Sequence, residues 1–233
     1  MKKLLFACFI LICGLVFVSC KMDAEVSENG LIFRALSDGT YMVEGIESGN
    51  ADHLDIPSKV KGKPVTIIAK YGFQGWDIKS VSIPDSITTI GDYAFQYCRN
   101  LTEVDIPSSV TVIGSSAFNE CDKLNKITLH NGLKTVGKGA FYNTGEKIEE
   151  LVIPDTVEII KDYGFYSYIA SVYVPKGVKE VGKSAFLSSI GTNYPVKIYC
   201  EPTGKPAGWD TSFVADNYGK TNLNDVVWGG YKK

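Results

Sequence analysis

Two cysteines, Cys98 and Cys121, are the side chains whose type and spacing most directly indicate covalent chemistry. Their spacing matches the period of a repeat that runs through the chain, so they should occupy equivalent positions on neighbouring strands. Neighbouring strands lie about 4.8 Å apart, and a disulfide needs Cα atoms within about 4.4–6.8 Å, so a bond is feasible in an exported protein. The alternative, which we favour, is two buried thiols that fill apolar space, because stacked side chains run parallel and need not meet.

Carboxylates and histidines are the other candidates for catalysis or metal binding. Glu103, Asp105 and Glu150 could form an acid–base pair, but their alternation with apolar residues is typical of the solvated face of a strand. His53 and His130 are the only histidines, and neither has a cysteine or histidine at the spacing of a metal site. The sequence contains no recognisable nucleophile motif and no phosphate-binding glycine loop. We therefore expect no enzymatic activity and no cofactor.

The first twenty residues resemble the leader of an exported lipoprotein. Two lysines follow the initial methionine and precede an apolar run that is short for a membrane span and typical of a secretory signal. Val18 and Ser19 precede Cys20 in a pattern that resembles a lipobox, in which the cysteine receives a diacylglyceryl group. Phe17 departs from the leucine usual in that motif, and in the alternative Cys20 is incidental to ordinary signal cleavage. The pattern predicts lipidation of Cys20 and a membrane-anchored lipoprotein of the outer membrane or cell surface.

The composition excludes one class of partner. The net charge is −2 and the pI is about 5.8, whereas nucleic-acid binders usually carry a strongly basic face. Removal of the leader leaves about 210 residues, which is enough chain for one good hydrophobic core.

Internal repetition is the strongest signal in the sequence. A small residue followed by phenylalanine recurs six times, and an aliphatic residue followed by proline recurs five times, with Leu129-His130 in the missing place. The phenylalanines are Phe73, Phe95, Phe118, Phe141, Phe165 and Phe186, at spacings of 21 to 24 residues. Intervals within the repeat are fixed and the length changes fall mainly after each phenylalanine, so packed segments should alternate with loops.

One repeat has the pattern expected of one solenoid coil. Leu101, Val104 and Ile106 alternate with polar residues as a half-buried strand does, and Pro107 ends the pairing because it lacks an N–H. The return half should point five side chains inward, namely Val110, Ile113, Ala117, Phe118 and Cys121. The recurring glycines Gly91, Gly114, Gly137 and Gly182 suggest a special turn conformation, but Ala69 and Lys161 occupy the same place in other coils, so a positive φ is not obligatory there. One coil cannot bury enough surface to fold alone, so stacking must supply the missing burial and hydrogen bonds.

Two columns of side chains should point outward between the buried strand positions. One column holds His53, Ser80, Glu103, Lys126, Glu150, Ser171 and Lys197. The other holds Asp55, Ser82, Asp105, Thr128, Val152, Tyr173 and Tyr199. Exposed aromatic residues suit a binding hot spot, although tyrosine is also simply frequent in strands. The candidate ligand face consists of Glu103, Asp105, Lys126, Glu150, Val152, Tyr173, Lys197 and Tyr199.

The repeated phrase resembles the BspA-like, or Treponema-type, leucine-rich repeats. The signature, Ile-Pro-x-x-Val-x-x-Ile-Gly-x-x-Ala-Phe-x-x-Cys, is nearly complete at Ile83 to Cys98 and at Ile106 to Cys121. The resemblance implies a β-rich leucine-rich repeat solenoid of about six coils, with short strands and 3-10 or short helical turns on the return half. It also implies a bacterial surface protein, often an adhesin, that binds a host matrix protein or another cell-surface protein through its concave strand face. The alternative is a structural or assembly component of the bacterial envelope, and in either role we expect a monomer.

The ends of the solenoid should be closed by caps, because an open solenoid exposes its core. Asp38-Gly39 lies between strand-like runs and indicates a hairpin. Beyond Cys200 the period is lost, and five apolar residues could close the last coil, namely Trp209, Phe213, Val226, Val227 and Trp228. The predicted organisation is a signal peptide (1–19), a polar tether (20–30), an N-terminal cap hairpin (31–50), the solenoid (51–201) and a C-terminal cap (202–233).

Overall fold

Each coil of the chain adds short strands to two ladders that run along the molecule. A computed structural model describes residues 25–47, 52–145, 147–187, 196–214 and 226–230. The strands are β1 Glu25–Glu28, β2 Leu31–Ala35, β3 Tyr41–Ile46, β4 His53–Asp55, β5 Lys59–Val60, β6 Lys63–Ile68, β7 Ser80–Ser82, β8 Thr89–Ile90, β9 Glu103–Ile106, β10 Val112–Ile113, β11 Lys126–Leu129, β12 Thr135–Val136, β13 Ile148–Val152, β14 Ile159–Ile160, β15 Ile169–Val174, β16 Glu180–Val181, β17 Lys197–Cys200 and β18 Val226–Trp228. The stacked coils confirm the predicted leucine-rich repeat solenoid. No helix in the described ranges is long and apolar enough to cross a membrane.

The longer ladder comes from the return half of the coils. Its order is β1-β2-β3-β6-β8-β10-β12-β14-β16, and from β8 onward each strand is two residues long. Val112 pairs in parallel with Thr89 of the preceding coil and Thr135 of the following one. The neighbouring Ile113 is fully buried. A constant register therefore brings equivalent side chains of successive coils together.

The second ladder carries the outward columns, and we call its solvent side the strand face. It contains the parallel pairs β4–β7 and β9–β11 and the parallel run β13–β15–β17–β18. Thr102 N donates to Lys79 O (3.0 Å), and Asn125 N donates to Thr102 O (3.0 Å), so backbone bonds also link the coils of β7, β9 and β11.

The turns of the return half are held by two alternating kinds of backbone hydrogen bond. Every second amide reaches the next coil, as in Tyr93 N to Ser115 O (2.9 Å), Phe95 N to Ala117 O (2.7 Å) and Tyr97 N to Asn119 O (2.9 Å). Intervening amides close β-turns within the coil, as in Gln96 N to Tyr93 O (3.2 Å). The resemblance implied 3-10 or short helical turns, but the described return halves consist of successive β-turns. In a helical segment every amide would bond to a carbonyl of the same segment, whereas here alternate amides bond to the next coil. Tyr93 and Tyr97 have φ of 58° and 62°, in the left-handed region.

The core is a column of stacked phenylalanine rings. The centroids of Phe73, Phe95, Phe118, Phe141 and Phe165 follow one another at 5.1–5.3 Å, with interplanar angles of 4–20°. Phe186 extends the column at 5.9 Å, and all six rings are at most 1% exposed. Large apolar rings in near-parallel contact bury the most surface that one residue per coil can offer.

The recurring glycines do not adopt the special conformation predicted from the sequence. Gly91, Gly114, Gly137 and Gly182 are absent from the positions with positive φ. Their role is close approach, because a Cβ on Gly114 would lie 2.5 Å from Asp92 N and 2.6 Å from Gly91 C of the preceding coil. Positive φ falls two residues later instead, at Tyr93, Ser116, Gly139 and Ser184.

Residues outside the repeats pack against the core at both ends of the stack. β2 and β3 form an antiparallel hairpin around Asp38-Gly39, and β1 pairs with β2. Part of the expected tether, Glu25–Glu28, is thus a paired strand. At the other end, Trp209 and Phe213 are at most 2% exposed, and Trp209 Nε1 donates to Val178 O at 2.9 Å.

The cysteines of the described region are free thiols that pack in the core. Cys98 Sγ donates to Phe73 O (3.1 Å) and Cys121 Sγ donates to Phe95 O (3.2 Å), so each thiol contacts the backbone of the preceding coil. Burial raises the pKa of Cys98 and of Cys200 to about 12, and burial also raises the pKa of Cys121 well above its ordinary value. The free, buried thiols of Cys98 and Cys121 agree with the interpretation that these cysteines fill apolar space and are not joined by a disulfide.

Gly114→Ala should destabilise the fold by about 1–3 kcal/mol, because its methyl group would press on the backbone of the preceding coil. The matched control is Gly204→Ala, where a Cβ meets nothing within 4 Å. The change in the denaturant midpoint of unfolding, at an unchanged dependence of the unfolding free energy on denaturant concentration, measures the effect of each substitution. Equal midpoints for the two variants would contradict the close-approach role.

The thiols at Cys98, Cys121 and Cys200 should resist alkylation in the native protein and react once it is unfolded. Because the pKa of Cys98 rises from 9.0 to about 12, its neutral form stabilises the fold below pH 9. The free energy of unfolding should therefore fall as the pH rises above 9, and fall less steeply in Cys98→Ala. A disulfide mass in the intact protein, or rapid native alkylation, would contradict this prediction.

Candidate ligand-binding face

The strand face brings all eight candidate ligand residues onto one surface. Glu103 lies opposite Lys126 on the neighbouring strand. Glu150 lies opposite Ser171, which in turn lies opposite Lys197. Asp105 lies on the same strand as Glu103, and a second run joins Val152, Tyr173 and Tyr199. The face therefore divides into a polar half on β4–β11 and an apolar half on β13–β18.

Charged groups on the polar half pair with one another across coils. Lys126 Nζ lies 3.2 Å from Glu103 Oε2, and His130 Nε2 lies 2.8 Å from Asp105 Oδ1. These side chains are each about half exposed or more. Exposed pairs of this kind contribute about 0–1 kcal/mol, so they organise the surface more than they stabilise it.

A histidine hydrogen-bond cluster occupies the first coils of the polar half. His53 contacts Ser80 Oγ through Nδ1 (2.7 Å), and it contacts Asp55 Oδ1 (3.0 Å) and Ser82 Oγ (2.9 Å) through Nε2. Within the described ranges, no group of three histidine, cysteine or carboxylate side chains is placed to hold a metal ion. The arrangement is a solvent-exposed hydrogen-bond network on a strand surface.

An open groove of about 440 Å³ lies where the polar strands end. Its lining residues are Val81, Ser82, Ile83, Asp85, Asp105, Pro107, Ser108 and His130. His130 occupies the position that a proline holds in the other turns. Leu133 N donates to His130 O at 3.5 Å, and the equivalent bond of the preceding coil runs from Val110 N to Pro107 O at 3.0 Å. The groove is thus a by-product of the turn that ends each strand, with one imidazole added.

The apolar half presents stacked aromatic rings on a fixed base. The rings of Tyr173 and Tyr199 lie 4.9 Å apart at an interplanar angle of 13°, and Val152 beside them is 47% exposed. Their strand neighbours Val172 and Ile198 point inward and are at most 1% exposed. Because alternate residues are locked in the core, the outward side chains are held in place by the sheet.

Val227 extends this surface, although the sequence placed it in the cap. β18 pairs in parallel with β17, so Val227 lies opposite Tyr199 and is 45% exposed. Trp228 turns inward instead, with its ring centroid 5.8 Å from that of Trp209. The alternation within Val226–Trp228 could have separated the outward valine from the partly buried tryptophan. We call Val152, Tyr173, Tyr199 and Val227 the apolar stripe.

Comparisons with known proteins agree with this architecture. The model of the BspA type leucine rich repeat region matches residues 48–168 in six copies. A leucine-rich repeat protein of T. pallidum is 27% identical, with a TM-score of 0.64 over 70% of this chain and 77% of that one. A leucine rich cell surface protein of Faecalibacterium prausnitzii A2-165 is 23% identical, with a TM-score of 0.55, and the match spans 75% of this chain but only 54% of that one. No curated protein matches the chain.

The family model covers more than half of the chain and coincides with the stacked coils. Repeats of this family build a scaffold for protein interaction, and catalysis is not what characterises them. The chain therefore belongs to the BspA type leucine-rich repeat proteins.

Proposed function

We propose that the chain is a lipid-anchored surface protein of the bacterial envelope that binds a protein ligand through the apolar stripe, in the manner of an adhesin. The observation that carries the proposal is the Tyr173–Tyr199 stack, flanked by the exposed Val152 and Val227 on one rigid sheet. The ligand is a host matrix protein or a protein of another cell surface.

Tyrosine pairs of this kind suit the centre of an interface. A tyrosine offers a large rigid ring and a hydroxyl while losing little conformational freedom on binding, and such residues dominate measured hot spots. The stacked pair contributes its contact area without further ordering, because the sheet already fixes its spacing at 4.9 Å. A partner that covers the apolar stripe gains hydrophobic burial at about 25 cal/mol per Å².

Charged residues around the apolar stripe would form the rim of the interface. Glu150 and Lys197 share the outer column beside it, while Glu103 and Lys126 lie further along the same column. Rim charges influence the association rate and partner choice more than they add affinity. Their mixed signs favour a partner with mixed charge over a polyanion.

The surface location rests on the N-terminal leader. Cys20 and the residues before it lie outside the described residues, so lipidation stands on the sequence pattern alone. The F. prausnitzii protein, which shares the fold, is described as a cell surface protein. An anchored solenoid would present its strand face to partners outside the cell.

The Tyr173→Ala/Tyr199→Ala variant should stay folded and lose at least about 30-fold in affinity, because hot-spot truncations typically cost about 2 kcal/mol or more. A matched control is Tyr71→Ala/Tyr93→Ala, which removes a stacked tyrosine pair that does not belong to the strand face. The ring centroids of this pair are 4.9 Å apart and the interplanar angle is 16°. Biolayer interferometry against purified collagen, laminin and fibronectin measures the affinities. Unchanged binding in the first variant, or equal loss in the control, would remove the apolar stripe as the site.

Cys20→Ala should prevent diacylglyceryl attachment, because the thiol is the acceptor of the lipid. Mass spectrometry of the purified wild-type protein should show a lipidated N-terminal peptide that begins at Cys20. A mature protein cleaved at another position, with Cys20 unmodified, would contradict the anchoring part of the proposal and leave ligand binding untouched.

A further inference from the structure

We propose that the β5–β6 hairpin is a second contact surface, one that binds the anionic headgroups of the membrane that anchors the protein. The hairpin carries Lys59, Lys61 and Lys63 within five residues, and all three are exposed. The inference rests on the proposed lipid anchor, and it assigns an orientation to the anchored molecule that the anchor alone does not give.

The hairpin lysines lie closer together in sequence than the lysines of the later coils, and their partners differ from those of many later lysines. Six later lysines pair with a carboxylate of an adjacent coil, namely Lys79–Asp52, Lys126–Glu103, Lys134–Glu158, Lys161–Glu180, Lys176–Glu201 and Lys179–Glu158. Within the described ranges, Lys59, Lys61 and Lys63 form no salt bridge. The hairpin is therefore a concentrated positive charge on a chain whose net charge is −2.

The positive charge is held on a rigid mount. Lys61 and Gly62 form the two-residue tip with φ of 50° and 76°, the left-handed pair that a tight hairpin requires. Lys59 pairs with Pro64 and Val60 pairs with Lys63 in the antiparallel ladder. Val60 is 1% exposed, so the base of the hairpin is fixed in the core while its tip projects.

Strand register places this hairpin at the edge where the chain enters the sheet. Glu25 pairs with Arg34, and Arg34 pairs with Met42, so β1 begins beside the Asp38–Thr40 turn. β6 runs parallel to β3, with Tyr41 opposite Val65, so the hairpin tip projects past that same turn.

One short distance shows how near the hairpin lies to that turn, and the hydrogen bonds of the turn show which carboxylate lies there. Lys63 Nζ lies 3.8 Å from the point that a Cβ on Gly39 would occupy. The Asp38 carboxylate of the turn accepts bonds from Thr40 N (2.9 Å) and Thr40 Oγ1 (2.7 Å), and these bonds lower its pKa. Asp38 on the turn and Glu25 at the start of β1 both lie at this edge, so the three lysines outnumber two carboxylates there.

The position of the anchor makes an anionic bilayer the partner that fits. Five residue steps separate Cys20 from Glu25, which limits the distance between them to about 18 Å. Headgroup charge acts within a Debye length of about 10 Å at 0.1 M salt, and each lysine near an anionic surface strengthens binding roughly fivefold. A lipid on Cys20 therefore brings the hairpin edge within reach of the phosphate groups of the bilayer.

The test is co-sedimentation of the chain from Lys21 onward, which keeps every strand described above, with phosphatidylglycerol vesicles or phosphatidylcholine vesicles. The wild-type chain should bind the anionic vesicles and should not bind the neutral ones. It should dissociate from the anionic vesicles at about 1 M salt, where the Debye length is about 3 Å. Lys59→Gln/Lys61→Gln/Lys63→Gln should bind about 100-fold more weakly. Circular dichroism and the denaturant midpoint verify that the variant is folded.

The matched control, Lys123→Gln/Lys138→Gln/Lys183→Gln, removes the same charge from exposed positions of later coils and should bind as wild type does. Equal loss in the control, failure of wild type to bind anionic vesicles, or equal binding to neutral vesicles would overturn the proposal. The Tyr173→Ala/Tyr199→Ala variant should keep vesicle binding, and the hairpin variant should keep ligand binding. Failure of the membrane surface is therefore distinguishable from failure of the ligand site or of lipidation.

Discussion

Hydrogen bonds from alternate amides of the return half to the next coil are the constraint on which this molecule depends. They fix the distance between successive coils at about one strand spacing. Equivalent side chains of successive coils are therefore separated by about the same distance. The buried phenylalanine rings follow at 5.1–5.3 Å, and the glycine column allows backbones to meet where a Cβ would not fit. The Tyr173–Tyr199 stack at 4.9 Å on the outside is the same spacing expressed on the strand face.

The repeat made the coil count, the core and the outward columns predictable, because fixed intervals force equivalent residues into register. Gly114 was misinterpreted because a recurring glycine indicates either positive φ or close approach, and the pattern alone does not separate the two. Lys161 in the same column was a sign that positive φ was not required. β1 and Val227 were missed because both lie outside the period, and their pairing depends on the completed stack.

The two halves of the strand face differ in what it costs to cover them. Burying the Lys126–Glu103 pair would remove two charges from water, and that penalty is several kcal/mol per ion unless every bond is replaced. Covering Tyr173 and Val227 carries no such penalty. A partner therefore gains most by seating on the apolar stripe and leaving the polar half hydrated at the rim. This asymmetry follows from the chemistry of the columns and does not depend on which protein the partner is.

The proposed ligand site and the proposed membrane contact are separated along the solenoid axis. Four to seven strand spacings of about 4.8 Å lie between β4 and the strands β13 to β18, which puts the apolar stripe about 20–35 Å from the first coil. Acyl chains on Cys20, as proposed, would anchor the protein firmly, at about 0.8 kcal/mol per buried CH₂, so the contribution of the hairpin lysines would lie more in orientation than in total affinity. Because the proposed anchor would hold the hairpin near the bilayer at high effective concentration, even a weak headgroup contact would bias which side of the first coil faces the membrane. A solenoid held by one flexible lipid linkage would turn freely, whereas a second contact on a rigid hairpin restricts the directions in which the apolar stripe is presented.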